Sequence, residues 1–155
     1  MKLQPKDKKQ LLKAALGEIP SDLLIKHVQL VNVITGEIYP ANVFVYDGMI
    51  AHVEYKNLDA DLDKDGQGHY LIPGFLDAHE HIESSMMTPR NFAKAVLPHG
   101  TTTVITDPHE IANVWGMEGV RYMHDSGEDL PMRQLIDIPS CVPAVPGLEN
   151  AGADF

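Results

Sequence analysis

The chain has 155 residues, of which 44% are apolar, so it can build one ordinary domain with a hydrophobic core. Its formal net charge of −10 argues against a phosphate-binding surface and hence against nucleic-acid partners, which need clustered Lys and Arg. The single Cys141 cannot form an intramolecular disulfide, and no amino-terminal apolar run resembles a signal peptide or a spanning helix, which favours a reducing cytoplasm.

The first predicted element is a short helix over residues 5–16. It places Leu12, Ala15 and Leu16 on one side, and Gly17 is its expected stop. A basic amphipathic helix of this kind could lie on a membrane, but it has fewer than two apolar turns. Packing against the next segment is therefore the favoured interpretation, and no membrane partner is expected.

Residues 22–55 change to a strand pattern. Apolar and β-branched runs alternate with a turn at residues 35–36 and a hairpin signal at Asp47-Gly48, which predicts a small antiparallel sheet. His27 and His52 lie within these strands, and we expect them to be solvent-facing or hydrogen-bonded histidines rather than ligands.

The acidic run at residues 61–66 imitates a calcium-binding loop, with Asp at positions one, three and five and Gly at six. Position twelve is Ile72, where a bidentate Glu is required. The run is therefore predicted to be a solvated turn.

The stretch from Leu71 to Ser85 (LIPGFLDAHEHIESS) sets two imidazoles two residues apart after an apolar run. In a strand, residues i and i+2 point to the same face, so His79 and His81 can aim at one metal ion. A buried parallel strand suits this pattern, and its carboxyl end is where an α/β barrel keeps its chemistry.

The next segment predicts a strand–helix–strand unit. Thr88 and Pro89 are typical of a helix start, Pro98 and Gly100 of its end, and residues 101–106 form a β-branched strand. Consecutive parallel strands joined by a helix make the right-handed crossover of an α/β fold.

Two interpretations of residues 107–110 (DPHE) stay open. In the structural one, Asp107 is a helix N-cap, Pro108 the first helical residue and Glu110 the partner in a capping box. In the functional one, Asp107, His109 and Glu110 hold an accessory ion, orient a histidine, or touch substrate. His109 is the strongest candidate, because capping does not need it.

The remaining segments continue the alternation of helix and strand. A helix is predicted over residues 118–125, with Trp115 before it most simply in the core, although it could stack on a purine. Residues 133–138 form the third strand, and the following loop carries Ser140 and Cys141, which could contact substrate. Without a paired His, neither looks like a nucleophile.

The segment around the two histidines, PGFLDAHEH, resembles the first-strand signature of the amidohydrolase superfamily. Its continuation IESSM narrows the resemblance to the adenine deaminases, and blocks at residues 97–104, 106–114 and 139–144 follow in that family's order. The resemblance implies an α/β fold with a partial (β/α)8 TIM barrel preceded by half of a small antiparallel β-sandwich. The expected domains are an amino-terminal helix at 1–20, the sandwich part at 21–70, and the first three βα units at 71–155.

The resemblance also implies hydrolytic deamination of adenine to hypoxanthine and ammonia, in purine salvage, with one or two divalent ions. His79 and His81 are the implied ligands, Mn²⁺ is the expected ion, and Fe²⁺ or Zn²⁺ would also suit imidazole. Glu83, Ser84, Asp107, His109 and Glu110 are candidates for accessory metal, supporting or substrate contacts.

A complete TIM barrel takes about 250 residues, so we expect an amino-terminal fragment. The proton-shuttling Asp and the later ligands would lie beyond Phe155, so the isolated chain should bind metal weakly and not turn over adenine. Its exposed strand edges predict aggregation or a homo-oligomer. Two alternatives stay open: a dihydroorotase-like or hydantoinase-like enzyme, and a non-catalytic product that pairs with another chain.

Overall fold

The computed structural model describes residues 7–54, 58–143, 145 and 147–148. Contacts divide the chain into two compact units between Pro73 and Gly74. In the described ranges, no helix combines the length and the apolar character that crossing a membrane requires.

The first unit begins with helix α1, Lys8–Ala15. The carboxylate of Asp7 caps it by accepting hydrogen bonds from two backbone N–H groups of the first turn. The predicted helix is confirmed, but the predicted buried side is wrong. Ala14 is 1% exposed, whereas Leu12 is 59% and Leu16 is 65% exposed, because the helix turns its small Ala14 face toward the neighbouring strands.

Three strands of the first unit form an antiparallel sheet: β1, Leu23–Asn32; β2, Glu37–Tyr46; and β3, Met49–Glu54, in the order β3-β2-β1. The hairpin between β2 and β3 turns at Asp47 and Gly48, whose φ angles of 48° and 72° are both positive. Two consecutive positive φ angles match the twist of a hairpin, which is why an Asp-Gly pair predicts one. The antiparallel sheet is confirmed.

Two further strands join the same sheet on the other side of β1. Strands β4, Asp63–Asp65, and β5, Tyr70–Leu71, both pair parallel to β1. The prediction of a plain turn at residues 61–66 is therefore wrong for its central part. The side chains of this segment show no strand pattern, and it is a strand because its backbone pairs with β1.

The second unit alternates strand and helix. Its three strands are parallel in the order β6-β7-β8, and short 3-10 turns at Ile82–Ser85 and Leu97–His99 interrupt the connections. The elements are β6, Phe75–Glu80; α2, Pro89–Val96; β7, Thr101–Thr106; α3, His109–Ser126; and β8, Arg133–Ile136. The predicted α/β class is confirmed, as are the predicted start of α2 after Thr88 and the strand at β7.

Helix α3 consists of two helical segments on either side of a kink, and the predicted helix over residues 118–125 lies in the second segment. At Gly116 the backbone leaves the helix with φ 60° and ψ −149°. The bend folds the second half back, and a Cβ added at Gly119 would lie 2.7 Å from the carbonyl oxygen of Ile111. Trp115 is 57% exposed and lies against Tyr122 rather than in the core, so its predicted burial is wrong.

Packing between the parallel sheet and its helices makes the core of the second unit. Val104 of β7 is fully buried, and side chains from both helices and both flanking loops close around it. The buried members of this cluster are Ile82, Phe92, Ala93, Val104, Met123 and Met132. Pairing between β6 and β7 places their carboxyl ends next to each other. The predicted burial of the first of these strands is wrong, because Phe75 is 54% and Leu76 is 59% exposed.

Candidate metal centre

Three potential ligands lie where two parallel strands end. β6 ends at Glu80, between His79 and His81, and β7 ends at Thr106, immediately before Asp107. Glu80 and Thr106 are register partners, so the residues around them share one edge of the sheet. The backbone therefore gathers the two imidazoles and the carboxylate from segments separated by 26 residues and more.

The two histidine side chains point to the same place. Nε2 of His79 lies 3.1 Å from Nε2 of His81, and the rings are nearly perpendicular, with centroids 4.8 Å apart. One donor atom from each of His79, His81 and Asp107 lies within 4.8 Å of the others. Among the described residues, this is the one group of three or more His, Cys, Asp or Glu side chains that meets this spacing.

This donor set fits one divalent ion. Ligand atoms about 2.1 Å from an ion are about 3 to 4 Å apart, and the imidazole pair already has this separation. The carboxylate atom lies within 4.8 Å of the imidazole atoms, so it is at most about 1 Å beyond this range. Two imidazoles and one carboxylate suit Fe²⁺, Mn²⁺ or Zn²⁺.

The carboxylate of Asp107 supplies independent support for this fit. Its Oδ1 is buried and has no hydrogen-bond partner within the described part of the chain. A buried, unpaired carboxylate oxygen is costly, and a cation beside it removes that cost. His79 is exposed and the other two residues are half-buried, so solvent can reach the cluster.

Glu110 and Ser84 form a second layer around the imidazole of His81. Oε2 of Glu110 lies 3.2 Å from Nδ1 of His81, which is an ion-pair distance without the alignment of a hydrogen bond. The hydroxyl of Ser84 donates a hydrogen bond to Oε1 of the same carboxylate. Burial by itself would raise the pKa of Glu110, but Ser84, the backbone and His81 outweigh it and lower the pKa below its ordinary value.

Glu83 has a different role from its neighbour. Its Oε1 accepts a hydrogen bond from the backbone N–H of Ile111, in the first turn of α3. Burial raises the pKa of Glu83, and the nearby carboxylate of Glu110 raises it further. Of the two acids, Glu110 is therefore the one that keeps its charge more readily.

The capping prediction for residues 107–110 is wrong. Helix α3 begins at His109 with Pro108 in the cap position, and no side chain caps it. Asp107 lies with the two imidazoles, and Glu110 accepts a hydrogen bond from Ser84. The distant Glu83 accepts one of the first-turn N–H groups that a local cap would have taken.

His109 lies beside the cluster and has a partner that the sequence pattern missed. Its ring centroid is 6.3 Å from that of His81, and its Nδ1 is 3.2 Å from Sγ of Cys141. The expectation that Cys141 has no paired His is therefore wrong. The two residues are 32 positions apart, and only the packing of the loop after β8 brings them together. Ser140, the other loop candidate, is exposed.

The remaining histidine and acidic candidates are engaged elsewhere. Nδ1 of His27 lies 3.1 Å from Asp65, and Nε2 of His52 lies 2.8 Å from Glu54, which confirms that these histidines are hydrogen-bonded. Asp63 pairs with the ammonium of Lys26. Two of the three Asp side chains of the run at 61–66 thus have partners within the sheet, Asp63 with Lys26 and Asp65 with His27.

Comparison with known proteins places this site in a family. The sequence model of the Amidohydrolase family matches residues 70–154. An adenine deaminase of Moorella thermoacetica is 49% identical over 150 residues, which is 95% of this chain and 25% of that protein. Adenine deaminases of Klebsiella pneumoniae and Thermosipho africanus are 47% and 49% identical over 96% and 93% of the chain. The chain spans about a quarter of the length of these relatives.

Among solved structures, the L-hydantoinase (dihydropyrimidinase) of Arthrobacter aurescens superposes with a TM-score of 0.59. The alignment covers 79% of this chain and 29% of that one, at 22% sequence identity. At this level of identity the match shows a shared fold.

Proposed function

The chain belongs to the amidohydrolase family, and from this premise we propose that it carries the first part of the active site of an adenine deaminase. The reaction is the hydrolysis of adenine to hypoxanthine and ammonia, a step of purine salvage. The substrate is proposed from the names of relatives that share almost half of the residues along nearly the whole chain.

The observation that carries this proposal is the convergence of His79, His81 and Asp107 at the ends of β6 and β7. Three protein donors and an open position are the minimum for a catalytic metal site. A divalent ion bound there would activate water for hydrolysis and polarise the substrate. We propose Mn²⁺ as the ion, with Fe²⁺ and Zn²⁺ as the ions that the same donors would accept.

The chain's own residues have separate tasks in this proposal. His79 and His81 hold the ion from one side, and Asp107 holds it from the neighbouring strand. In this proposal His109, whose ring lies 6.3 Å from that of His81, hydrogen-bonds the purine. Ser84 and Glu83 connect the turn that follows β6 to the first turn of α3.

The wider architecture is proposed on the same basis. Strands β6, β7 and β8 are the first three strands of a (β/α)8 barrel, and the sheet of the first unit is half of a β-sandwich. Their parallel order and the likeness to the hydantoinase fold support this. The proposal includes assembly of the chain into a homo-oligomer. It also includes a cytoplasmic location, with which the free Cys141 is in keeping.

A chimera tests the function. The corresponding quarter of the Moorella thermoacetica adenine deaminase is replaced by this chain, and ammonia and hypoxanthine are measured with adenine and Mn²⁺. The chimera should deaminate adenine, and His79→Ala or Asp107→Asn within it should reduce the rate by several orders of magnitude. His124→Ala, a change of an exposed histidine on α3, is the matched control.

Two results would contradict the proposal. One is a folded, metal-loaded chimera without adenine deamination. The other is a chimera whose rate is unchanged by His79→Ala, because the activity would then not pass through this chain's site.

A further inference from the structure

The two nitrogens of the His81 ring face different partners. Nε2 faces the imidazole of His79 at 3.1 Å, and Nδ1 faces a carboxylate oxygen of Glu110 at 3.2 Å. A carboxylate accepts hydrogen bonds, and a neutral imidazole has one N–H and one lone pair. The contact lacks the alignment of a hydrogen bond, but a proton on Nδ1 is attracted to the carboxylate oxygen 3.2 Å away. We therefore expect neutral His81 to carry its proton on Nδ1, which turns the Nε2 lone pair toward the candidate ion.

The carboxylate of Glu110 is itself held in place. The hydroxyl of Ser84 donates to its other oxygen at 2.5 Å. Ser84 lies in the 3-10 turn directly after His81, and Ile82 of that turn is fully buried in the core. The backbone N–H of Ile111, next to Glu110, is bonded to Glu83 of the same turn at 3.3 Å. Two contacts thus tie the first turn of α3 to the turn that begins at His81.

We propose that Glu110 is a positioning residue, which sets the tautomer and direction of His81 for metal binding, and that Ser84 holds Glu110 in the orientation this requires. The inference rests on the metal centre proposed above. A carboxylate behind a metal-binding imidazole fixes the ring and makes the ligating nitrogen more basic. In this fold the supporting carboxylate comes from the helix after β7, while the imidazole comes from the end of β6.

The first test needs no metal. Long-range ¹H–¹⁵N NMR spectra of the metal-free chain at pH 8 report which nitrogen of each neutral histidine carries the proton. His81 should be the Nδ1–H tautomer, and His79, whose Nε2 would then donate to His81, the Nε2–H tautomer. In Glu110→Ala, His81 should lose its preference for Nδ1–H. An unchanged His81 tautomer in this variant would overturn the inference.

The second test is Mn²⁺ affinity, measured by calorimetry on the 155-residue chain. Removal of a carboxylate behind a ligand costs about 10- to 100-fold in metal affinity, and we expect Glu110→Ala to fall in this range. Ser84→Ala should weaken binding in the same direction but less, because the carboxylate remains. Glu118→Ala is the matched control, since Glu118 is an exposed acid of the same helix that pairs with Arg121.

The two tests separate the inference from the proposed function. If the parent chain binds no Mn²⁺, the proposed metal centre fails, while the tautomer spectra still decide whether Glu110 controls His81. An affinity within twofold of the parent in Glu110→Ala would overturn the inference. So would an affinity loss with the His81 tautomer unchanged, because Glu110 would then act as something other than a positioning residue. Circular dichroism confirms that each variant is folded.

Discussion

Asp107 should lower the stability of the metal-free chain while it enables metal binding. Its Oδ1 is buried without a hydrogen-bond partner in the described part of the chain. Such an orphaned polar atom costs about 1–3 kcal/mol, and more when it is charged. Asp107→Asn keeps the size and removes the charge, so the free energy of unfolding without metal should rise by about 1 kcal/mol. For a chain of this length the midpoint of thermal unfolding should increase by about 2–4 °C.

With Mn²⁺ the order of the two proteins should reverse. An ion present at 100 times its dissociation constant stabilises the folded parent by about 2.7 kcal/mol. The side-chain amide of the variant is a weaker metal ligand than a carboxylate, so Mn²⁺ should increase the free energy of unfolding of the variant much less. The parent should then be the more stable protein by about 1–2 kcal/mol at an Mn²⁺ concentration that saturates it.

Urea unfolding followed by circular dichroism, with and without Mn²⁺, gives the four free energies of unfolding. Asp125→Asn is the control, because Asp125 is exposed and pairs with His124 at the far end of α3. The reasoning would be refuted if Asp107→Asn were less stable than the parent without metal and if Mn²⁺ stabilised it by as much as it stabilises the parent. The carboxylate would then be a structural group with no part in binding the ion.

Three further predictions concern the second unit. Gly119→Ala should destabilise the chain by about 1–3 kcal/mol, because the new Cβ would lie 2.7 Å from the backbone oxygen of Ile111 and the two halves of α3 would have to separate. Thermal unfolding measures this loss, and an unchanged stability would mean that the two halves are not tightly packed at the kink. Met123→Ala should cost about 2–5 kcal/mol, because this side chain is 2% exposed in the core, and a loss below 1 kcal/mol in urea unfolding would contradict the packing described. Trp115→Ala should change the free energy of unfolding by about 0.5 kcal/mol or less, because the indole is exposed and contacts Tyr122 at the surface. A loss of about 3 kcal/mol would instead indicate a core tryptophan, as the sequence predicts.

Local sequence signals predicted the elements whose formation depends on local chemistry. The Asp47-Gly48 pair predicted its hairpin because both residues accept positive φ, and Thr88 with Pro89 predicted the start of α2. The spacing of His79 and His81 predicted that both side chains point the same way, because the residues alternate along an extended chain. In each case the information lies within a few neighbouring residues.

The errors occur where a distant segment decides the structure. Residues 63–65 form a strand because β1 offers backbone partners, and nothing in their own side chains indicates it. Of the two interpretations of residues 107–110, the capping one fails because Glu83, which accepts the N–H of Ile111 in that helix, lies 28 residues before its partner.

The same limit applies to the candidate site. A strand-end pair of histidines could be found from spacing, but the third donor depends on β7 lying in register beside β6. The pairing of His109 with Cys141 depends on the loop after β8. The position at the carboxyl end of a predicted strand makes Asp107, His109 and Glu110 candidates, with His109 the strongest, and the structure groups Asp107 with the two histidines.

The central claim is that His79, His81 and Asp107 bind one divalent ion. Titration of the metal-free chain with Mn²⁺, followed by the electron paramagnetic resonance signal of the free ion, measures it directly. We predict one bound ion per chain and the loss of this binding in a His79→Ala, His81→Ala double variant. No binding by the parent, or equal binding by the double variant, would contradict the account.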